Sequence, residues 1–204
     1  MWMLHFLSHL TDDGTAGFVM AAGELSSAND KSRFEVRKTL VELDYVDCVV
    51  QLSGQLFANT QVPCSLWFVS KNRAGRAGSR NRRGEVLFID GRKLGTLIPG
   101  SRKQKSLSAL EVEEMAHVFR VFKTEQSPKA VTGFFRVATV SEVREKQYGL
   151  TPGRYVGNSD TEDWDEPFET RFPKLVADLG EHLTSSSDLA ATVLRQLHRI
   201  GDGT

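Results

Sequence analysis

The fold of this chain is decided by residues 46–69, which run VDCVVQLSGQLFANTQVPCSLWFV. Val46–Leu52 and residues 65–69 are short apolar runs, and the connection between them, residues 53–63, contains a glycine and a proline. Such runs, rich in β-branched and aromatic residues, are typical of strands buried on both faces of a sheet. The stretch therefore predicts two central strands joined by a loop.

Upstream of these strands the sequence alternates between helix and strand patterns. Residues 1–10 have apolar residues at helical spacing and end at the Thr-Asp-Asp-Gly cluster of residues 11–14. A strand is predicted at Ala16–Ala21, a polar loop at 26–32 and a helix over about 33–43. This order of elements predicts an α/β fold.

Downstream, a segment rich in glycine and arginine at 72–84 is predicted to be an exposed, mobile loop. The most strongly patterned helix runs from Leu107 to Lys123, with Ser108 and Glu111 spaced as in a capping box. Three shorter elements are also predicted: a strand at Glu85–Asp90, an extended segment at Phe134–Val137 and a short helix at Ser141–Gln147.

The C-terminal region has a different composition. Residues 157–166 are acidic and turn-rich, which is typical of a linker. Two amphipathic helices are predicted after it, at about 168–183 and 187–199, separated by three serines.

Composition narrows the class of protein. The chain has 204 residues, of which 40% are hydrophobic and 25% charged, as in a folded soluble protein. The longest apolar stretches have strand length, far below the roughly 20 residues that span a bilayer, and the N-terminus lacks a basic leader. We therefore expect a cytoplasmic protein without a membrane segment.

The residues that commonly bind metals give little sign of a metal site. Cys48 and Cys64 lie in apolar runs outside any C-x-x-C motif, which predicts buried thiols rather than a zinc site or a disulfide. His5 and His9 have the i, i+4 spacing of helical ligands, but no carboxylate or cysteine accompanies them. We therefore favour a partly exposed structural pair and predict no metal.

Charge is unevenly distributed although the net charge is zero. Residues 71–105 contain eleven lysines and arginines against Glu85 and Asp90, whereas residues 157–204 contain ten acidic and four basic residues. This asymmetry predicts that a polyanion contacts one end and a different partner the other. The alternative is that both regions are solvated loops of biased composition.

A family resemblance is carried by Leu56–Val69 and the strand sequence that follows at 84–90. They resemble the later motifs of the N-6 adenine DNA methylase family, in which a phenylalanine and an Asn-Thr pair precede a proline and the last core strands. The matching residues are Phe57, Asn59, Thr60 and Pro63. The resemblance continues through 89–95, 133–137 and 148–156 and covers most of residues 1–160.

In detail, the chain resembles the C-terminal portion of the modification subunit of a type I restriction-modification system. The resemblance implies the second half of a class I methyltransferase sheet, which is mainly parallel and flanked by helices in this family, followed by a helical tail. It also implies S-adenosylmethionine as cofactor, bound at the carboxyl ends of the strands.

Two family elements that carry the chemistry are not found in this sequence: the glycine-rich loop after the first strand and the Asn/Asp-Pro-Pro-Tyr/Phe turn. All six prolines are isolated. We therefore expect no catalytic residue in this chain and no activity from it alone. The organisation that follows is a methyltransferase core half at 1–70, a basic loop at 71–84, an α/β extension at 85–156, an acidic linker at 157–166 and a helical tail at 167–204.

The resemblance assigns three residues to the target base. Phe57 matches the position proposed to stack on a flipped adenine, although an aromatic residue at such a place can equally be a core plug. Asn59 and Thr60 either line the same pocket or stabilise a turn through side chain to backbone bonds.

The basic loop is the predicted site of DNA phosphate contact, since each neutralised phosphate releases counterions and strengthens binding without reading sequence. The candidates are Arg73, Arg76, Arg80, Arg82 and Arg83. A disordered connection is the alternative.

The predicted tail helices suggest a protein partner. Their apolar residues are Phe172, Leu175, Leu179 and Leu183 on the first helix and Leu189, Val193, Leu197 and Ile200 on the second. The resemblance implies docking on the specificity subunit, and the alternative is a self-contained helical hairpin. Further expected partners are double-stranded DNA, the restriction subunit and a separately encoded N-terminal half.

Two rival interpretations remain at this stage. The chain could be a non-catalytic remnant or split subunit that binds DNA or the specificity subunit. It could also be an unrelated basic α/β protein that binds nucleic acid.

Overall fold

The two apolar runs are adjacent strands of a five-stranded sheet in a computed structural model of the chain, which describes residues 2–26, 30–76, 78–125, 127–157 and 168–201. The main strands are β1 (Thr15–Ala21), β2 (Val46–Leu52), β3 (Cys64–Ser70), β4 (Glu85–Gly91) and β7 (Phe135–Thr139). Two short strands, β5 (Thr96–Leu97) and β6 (Lys105–Ser106), form a separate hairpin. The helices are α1 (Trp2–Ser8), α2 (Lys31–Glu42), α3 (Ala109–Thr124), α4 (Val140–Glu145) and α5 (Phe168–Gly201).

The sheet has the order β1-β3-β2-β4-β7 and is mixed. Of these four neighbouring pairs only β2 and β4 run parallel. β3 runs antiparallel to β2 because the connection at 53–63 contains no crossover helix, which a parallel return would need, and β3 is also antiparallel to β1. The described part of the sheet is therefore less parallel than the family resemblance implied.

Strand register defines two edges of this sheet. Ala21 pairs with Cys64, Leu52 pairs with Gly91, and Ile89 pairs with Phe135. The carboxyl ends of β1, β2 and β4 therefore lie together with the starts of β3 and β7, at what we call the carboxyl edge. The opposite edge, where β3 ends and β4 begins, is the amino edge.

Helices cover both faces of the sheet. On one face, residues of α1, α2 and α4, including Met3, Leu40 and Val143, pack with Trp67 and Phe88. On the other face, the buried residues of α3 pack against β2 and β4; these are Met115, Val118 and Phe122. This α/β/α layering confirms the predicted fold class.

Local sequence signals explain where two helices begin. The Asp30 carboxylate accepts the backbone N–H groups of Ser32 and Arg33 at 3.0 and 3.2 Å and caps α2. At α3, Ser108 Oγ accepts the Glu111 N–H, and the Glu111 carboxylate accepts the Ser108 N–H at 2.7 Å. Such caps stabilise a helix by about 1 kcal/mol each, and the predicted capping box is confirmed.

The strands predicted from apolar runs are found within a few residues of their predicted bounds. The helix predicted at 33–43 begins two residues earlier, at its cap. The β5–β6 hairpin was not predicted. Its strands are only two residues long each and exposed or half-buried, so they leave no apolar signal in the sequence.

In the C-terminal unit, residues 160–204, the described residues 168–201 form one continuous helix, α5. The prediction of two helices was therefore wrong, as was the helical-hairpin alternative. Ser185–Ser187 does not interrupt the helix because serine is only mildly unfavourable in a helix and no glycine or proline accompanies it there. The predicted linker at 157–166 lies outside the described residues except for Gly157.

None of the helices in the described ranges is long and apolar enough to span a membrane. Along α5, the large apolar side chains described between residues 172 and 196 are exposed. They are Phe172, Leu175, Val176, Leu179, Leu183, Leu189, Val193 and Leu194.

Candidate functional site at the carboxyl edge

The connection between β2 and β3, residues 53–63, emerges at the carboxyl edge, and we call it the base loop. It folds back on itself: Phe57 and Thr60 form an isolated β-bridge, and the Val62 N–H donates to Thr60 Oγ1 at 3.2 Å. A Cβ on Gly54 would lie 2.4 Å from the Gln61 carbonyl oxygen, so only glycine permits this close return.

The tip of the base loop presents its side chains to solvent. Phe57 is 46% exposed, so its ring is not buried in the core of the described residues. Asn59 is also exposed, and the hydroxyl of Thr60 stabilises the turn, as one alternative predicted. Binding of a base by these three residues stays a prediction.

The β5–β6 hairpin lies beside the base loop and is bonded to it. The Lys105 N–H donates to the Gln55 carbonyl at 2.8 Å, and Ser53 Oγ donates to the Leu94 carbonyl at 3.0 Å. The Gly95 N–H donates to the Glu111 carboxylate at 2.8 Å, a bond that holds the pKa of Glu111 below its usual value. Hydrogen bonds therefore connect the base loop, the β5–β6 hairpin and the first turn of α3 to one another.

The predicted phosphate-binding segment lies elsewhere. Residues 71–84 connect the end of β3 to the start of β4 and so occupy the amino edge. A seven-residue strand separates the two edges by roughly 20 Å. The structure therefore does not bring the predicted base-binding and phosphate-binding residues together.

Two of the predicted phosphate ligands are buried. Arg82 is fully buried and Arg73 is 3% exposed, and both contact the carboxylate of Asp47, which is itself fully buried. Arg82 donates to both oxygens of Asp47, at 3.0 and 3.2 Å, and Arg73 also bonds the Glu85 carbonyl. The prediction of an exposed loop that contacts phosphate was wrong for these two arginines, because their guanidinium groups form buried ion pairs with Asp47.

The other three arginines of the segment differ in exposure. The guanidinium of Arg80 donates to the Phe122 carbonyl at 2.7 Å and to Glu85 at 2.6 Å. Arg76 and Arg83 are exposed. Phosphate contact stays a prediction for these three.

The thiols and the histidine pair carry no sign of chemistry. Cys48 and Cys64 are buried and free, as predicted, and burial raises the pKa of the Cys48 thiol. His9 is exposed and bonds the His5 carbonyl through Nδ1 at 2.9 Å. Within the described ranges, no group of three or more His, Cys, Asp or Glu side chains could hold a metal ion.

Comparison with known proteins now adds to this geometry. Residues 1–164 match the family model described as N-6 DNA Methylase. The chain belongs to the N-6 DNA methylase family. Its relatives include the type I restriction enzyme HindI methylase subunit of Haemophilus influenzae, 33% identical over 200 residues, and the MjaIX methylase subunit of Methanocaldococcus jannaschii, 36% identical over 203 residues.

This N-6 DNA methylase chain is shorter than those relatives. The alignments cover 98% of the chain but only 43% and 35% of the two relatives. Among solved structures, the methyltransferase subunit of a type I restriction-modification system from Streptococcus thermophilus is similar, with a TM-score of 0.64 and 25% identity over 77% of this chain and 29% of that one. The type I restriction enzyme EcoKI M protein shares the fold, with a TM-score of 0.57 at 14% identity over 88% of this chain and 42% of that one.

S-adenosylmethionine is the cofactor that membership of the methylase family implies. Two glycines near the carboxyl edge serve the packing of the protein itself: a Cβ on Gly54 would meet the Gln61 carbonyl, and a Cβ on Gly91 would lie 2.9 Å from Leu52 Cδ2. We therefore assign neither of them to the cofactor.

Sequence reasoning missed two features of the methylase chain. One is Asp47, a charged residue in a strand whose other residues, apart from Gln51, are apolar; such a residue signals a buried partner. The other is the group of basic residues on and beside the β5–β6 hairpin, at the same edge as Phe57. They were counted within the basic stretch 71–105, but their position in the fold was not predicted.

Proposed function

We propose that this chain is part of the modification subunit of a type I restriction-modification system, a cytoplasmic enzyme that methylates N6 of adenine in a specific DNA site. In this proposal the base loop holds the flipped adenine. The S-adenosylmethionine-binding and catalytic segments come from sequence outside these 204 residues, and the chain by itself is inactive. Family membership supports the reaction class.

The observation that carries the proposal is the exposure of Phe57 at the carboxyl edge. Methylation of an amino group inside a duplex requires the base to leave the stack and be held, commonly between aromatic or apolar side chains. Phe57 is an aromatic residue at the tip of a self-closed loop, and its ring is nearly half exposed instead of packed into the core. Asn59 and Thr60 lie in the same turn and supply polar groups.

A second observation supports continuation of the sheet beyond the described residues. Within the described part, β1 is an outer strand that pairs with β3 alone, so the backbone groups on its other side are unpaired. Large apolar side chains on and near β1 are exposed, including Val19 at 51%, Trp2 at 69% and Leu4 at 44%. Unpaired edges and apolar patches are places where a further strand or partner docks. We propose that the cofactor-binding part of the enzyme packs against the unpaired side of β1. The same contact would form if that part is a separately encoded chain.

The test is Phe57→Ala in the complete modification complex, with Val62→Ala as the matched control. Both side chains are exposed apolar groups of the base loop, at 46% and 52%. Base stacking on an aromatic ring is worth about 1–3 kcal/mol, so Phe57→Ala should slow methyl transfer about 5- to 150-fold, and Phe57→Trp should retain most of it. Melting temperatures should stay close to that of the unsubstituted protein.

Methyl transfer is measured on a duplex that carries the recognised site. Equal rates for Phe57→Ala and Val62→Ala would show that the ring does not hold the base. A large fall in melting temperature with normal methylation by the folded fraction would make Phe57 a structural residue.

The exposed stripe on α5 favours an additional binding role. Its apolar side chains recur at three- and four-residue spacing on either side of a gap between Leu183 and Leu189, and they lie on one side of a helix roughly 50 Å long. We propose that this face binds the specificity subunit and that the restriction subunit joins the same assembly on duplex DNA. A non-catalytic split subunit would use the same face.

A further inference from the structure

The region after β4 is basic and contains no acidic residue. Between Gly91 and Leu110 there are five lysines or arginines, and the nearest carboxylates in the sequence are Asp90 and Glu111. Asp90 is bonded to Arg92 through both carboxylate oxygens, which neutralises that arginine and raises its pKa. The other four basic residues are Lys93, Arg102, Lys103 and Lys105.

Two of these basic residues lie next to the well-defined turn at the tip of the β5–β6 hairpin. Its tip turns at Pro99 and Gly100, where Gly100 has a φ of 82° and the Ser101 N–H donates to the Ile98 carbonyl at 2.9 Å. These features are those of a type II turn, with proline and glycine at its central positions. Arg102 and Lys103 follow the turn directly and are exposed.

The hairpin also has a fixed relation to Phe57. The Lys105 N–H donates to the carbonyl of Gln55, two residues before Phe57, at 2.8 Å. The hairpin base is held at Leu94 and Gly95 as well. Its basic tip and the exposed ring therefore project from the same edge of the sheet.

We propose that this hairpin, residues 92–106, binds the phosphate backbone of the target DNA beside the flipped base; the proposal rests on the proposed function of the base loop. A base that leaves the duplex at Phe57 brings its flanking phosphates to the same edge. Lysine and arginine neutralise phosphates without reading sequence, which suits a modification subunit whose site is chosen by another subunit. The amino edge is less suited, because the Arg73 and Arg82 charges are buried there against Asp47.

The experiment compares two double variants of the full chain, each losing two positive charges. Arg102→Gln/Lys103→Gln removes the two positive charges at the hairpin tip. Arg76→Gln/Arg83→Gln removes the two exposed positive charges at the amino edge. Binding to a short duplex is followed by fluorescence anisotropy between about 50 and 200 mM salt. Each lost phosphate contact lowers the slope of log affinity against log salt by about 0.9, so the hairpin variant should lose about 1.8 and bind more weakly.

For the amino-edge variant, the slope of log affinity against log salt should change by less than half as much as for the hairpin variant. A loss equal to or greater than that of the hairpin variant would overturn the proposal in favour of the amino edge, and unchanged slopes for both variants would also overturn it. Either result leaves the proposed function intact if methyl transfer still depends on Phe57. A chain that shows no salt-dependent binding to duplex DNA would contradict the hairpin proposal, whereas the proposed function is tested separately by methyl transfer in the complete complex. Arg102→Lys/Lys103→Arg, which keeps the charges, should bind as the unsubstituted chain does.

Discussion

Asp47→Asn is expected to destabilise the α/β unit by about 3 kcal/mol. Asp47 is fully buried and faces two buried guanidinium groups, Arg73 and Arg82. Breaking a buried ion pair by removing one partner costs about 3–5 kcal/mol, because the remaining charge is buried without compensation. The lower end applies here, since Arg82 keeps its bonds to the Arg80 and Asn72 carbonyls at 2.8 and 2.9 Å.

Unfolding in urea and by heat measures this effect. For a unit of this size, about 3 kcal/mol corresponds to a melting temperature lower by about 6–12 °C. The matched control is Asp44→Asn, because Asp44 contacts the same Arg73 at 3.4 Å but its side chain is 27% exposed. Partly exposed pairs contribute about 0–1 kcal/mol, so the control should lose little from that pair. Equal stability of Asp47→Asn and the unsubstituted chain would refute the buried-pair argument.

Two further predictions concern pH and the tail. Hydrogen bonds from Arg144 and Tyr148 hold the pKa of Glu42 at about 2 in the folded chain, below its ordinary 4.5, so this stabilisation is complete above about pH 4.5 and is lost as pH falls towards 2. The melting temperature of Glu42→Gln should therefore fall less over that range than that of the unsubstituted chain, and parallel curves would contradict the pairing. In α5, Leu179→Glu should abolish co-purification with the specificity subunit, whereas Ala177→Glu on the opposite face should not; equal retention by both would exclude the stripe as the contact.

The strands and the capped helices could be predicted because their signals are local. Apolar runs fixed β2 and β3, and the Ser108–Glu111 spacing fixed the start of α3. The burial of Arg73 and Arg82 could not be found in the same way. Their partner Asp47 is 26 and 35 residues away in the chain, and glycine-rich, like-charged sequence ordinarily indicates exposure.

The two basic clusters could have been separated from the sequence. The stretch 71–105 was treated as one charged region, although the strand predicted at 85–90 divides it. A strand carries the chain from one edge of a sheet to the other, so basic residues before and after it must lie at opposite edges. In the tail, three consecutive serines predict a break between helices, but serine is tolerated inside a helix and α5 continues through them.

The two basic clusters differ in the environment of their charged groups. At the amino edge a buried carboxylate lies within reach, so the guanidinium groups of Arg73 and Arg82 fix the course of 71–84. Beside the hairpin, the Asp90 carboxylate forms an ion pair with Arg92, and the charged groups of Arg102 and Lys103 at the tip remain exposed. In the proposed complex with DNA, the hairpin and the base loop would need little binding energy to become ordered, because they are already hydrogen-bonded to each other. The energy of the proposed phosphate contacts would then be available to hold the displaced base against Phe57.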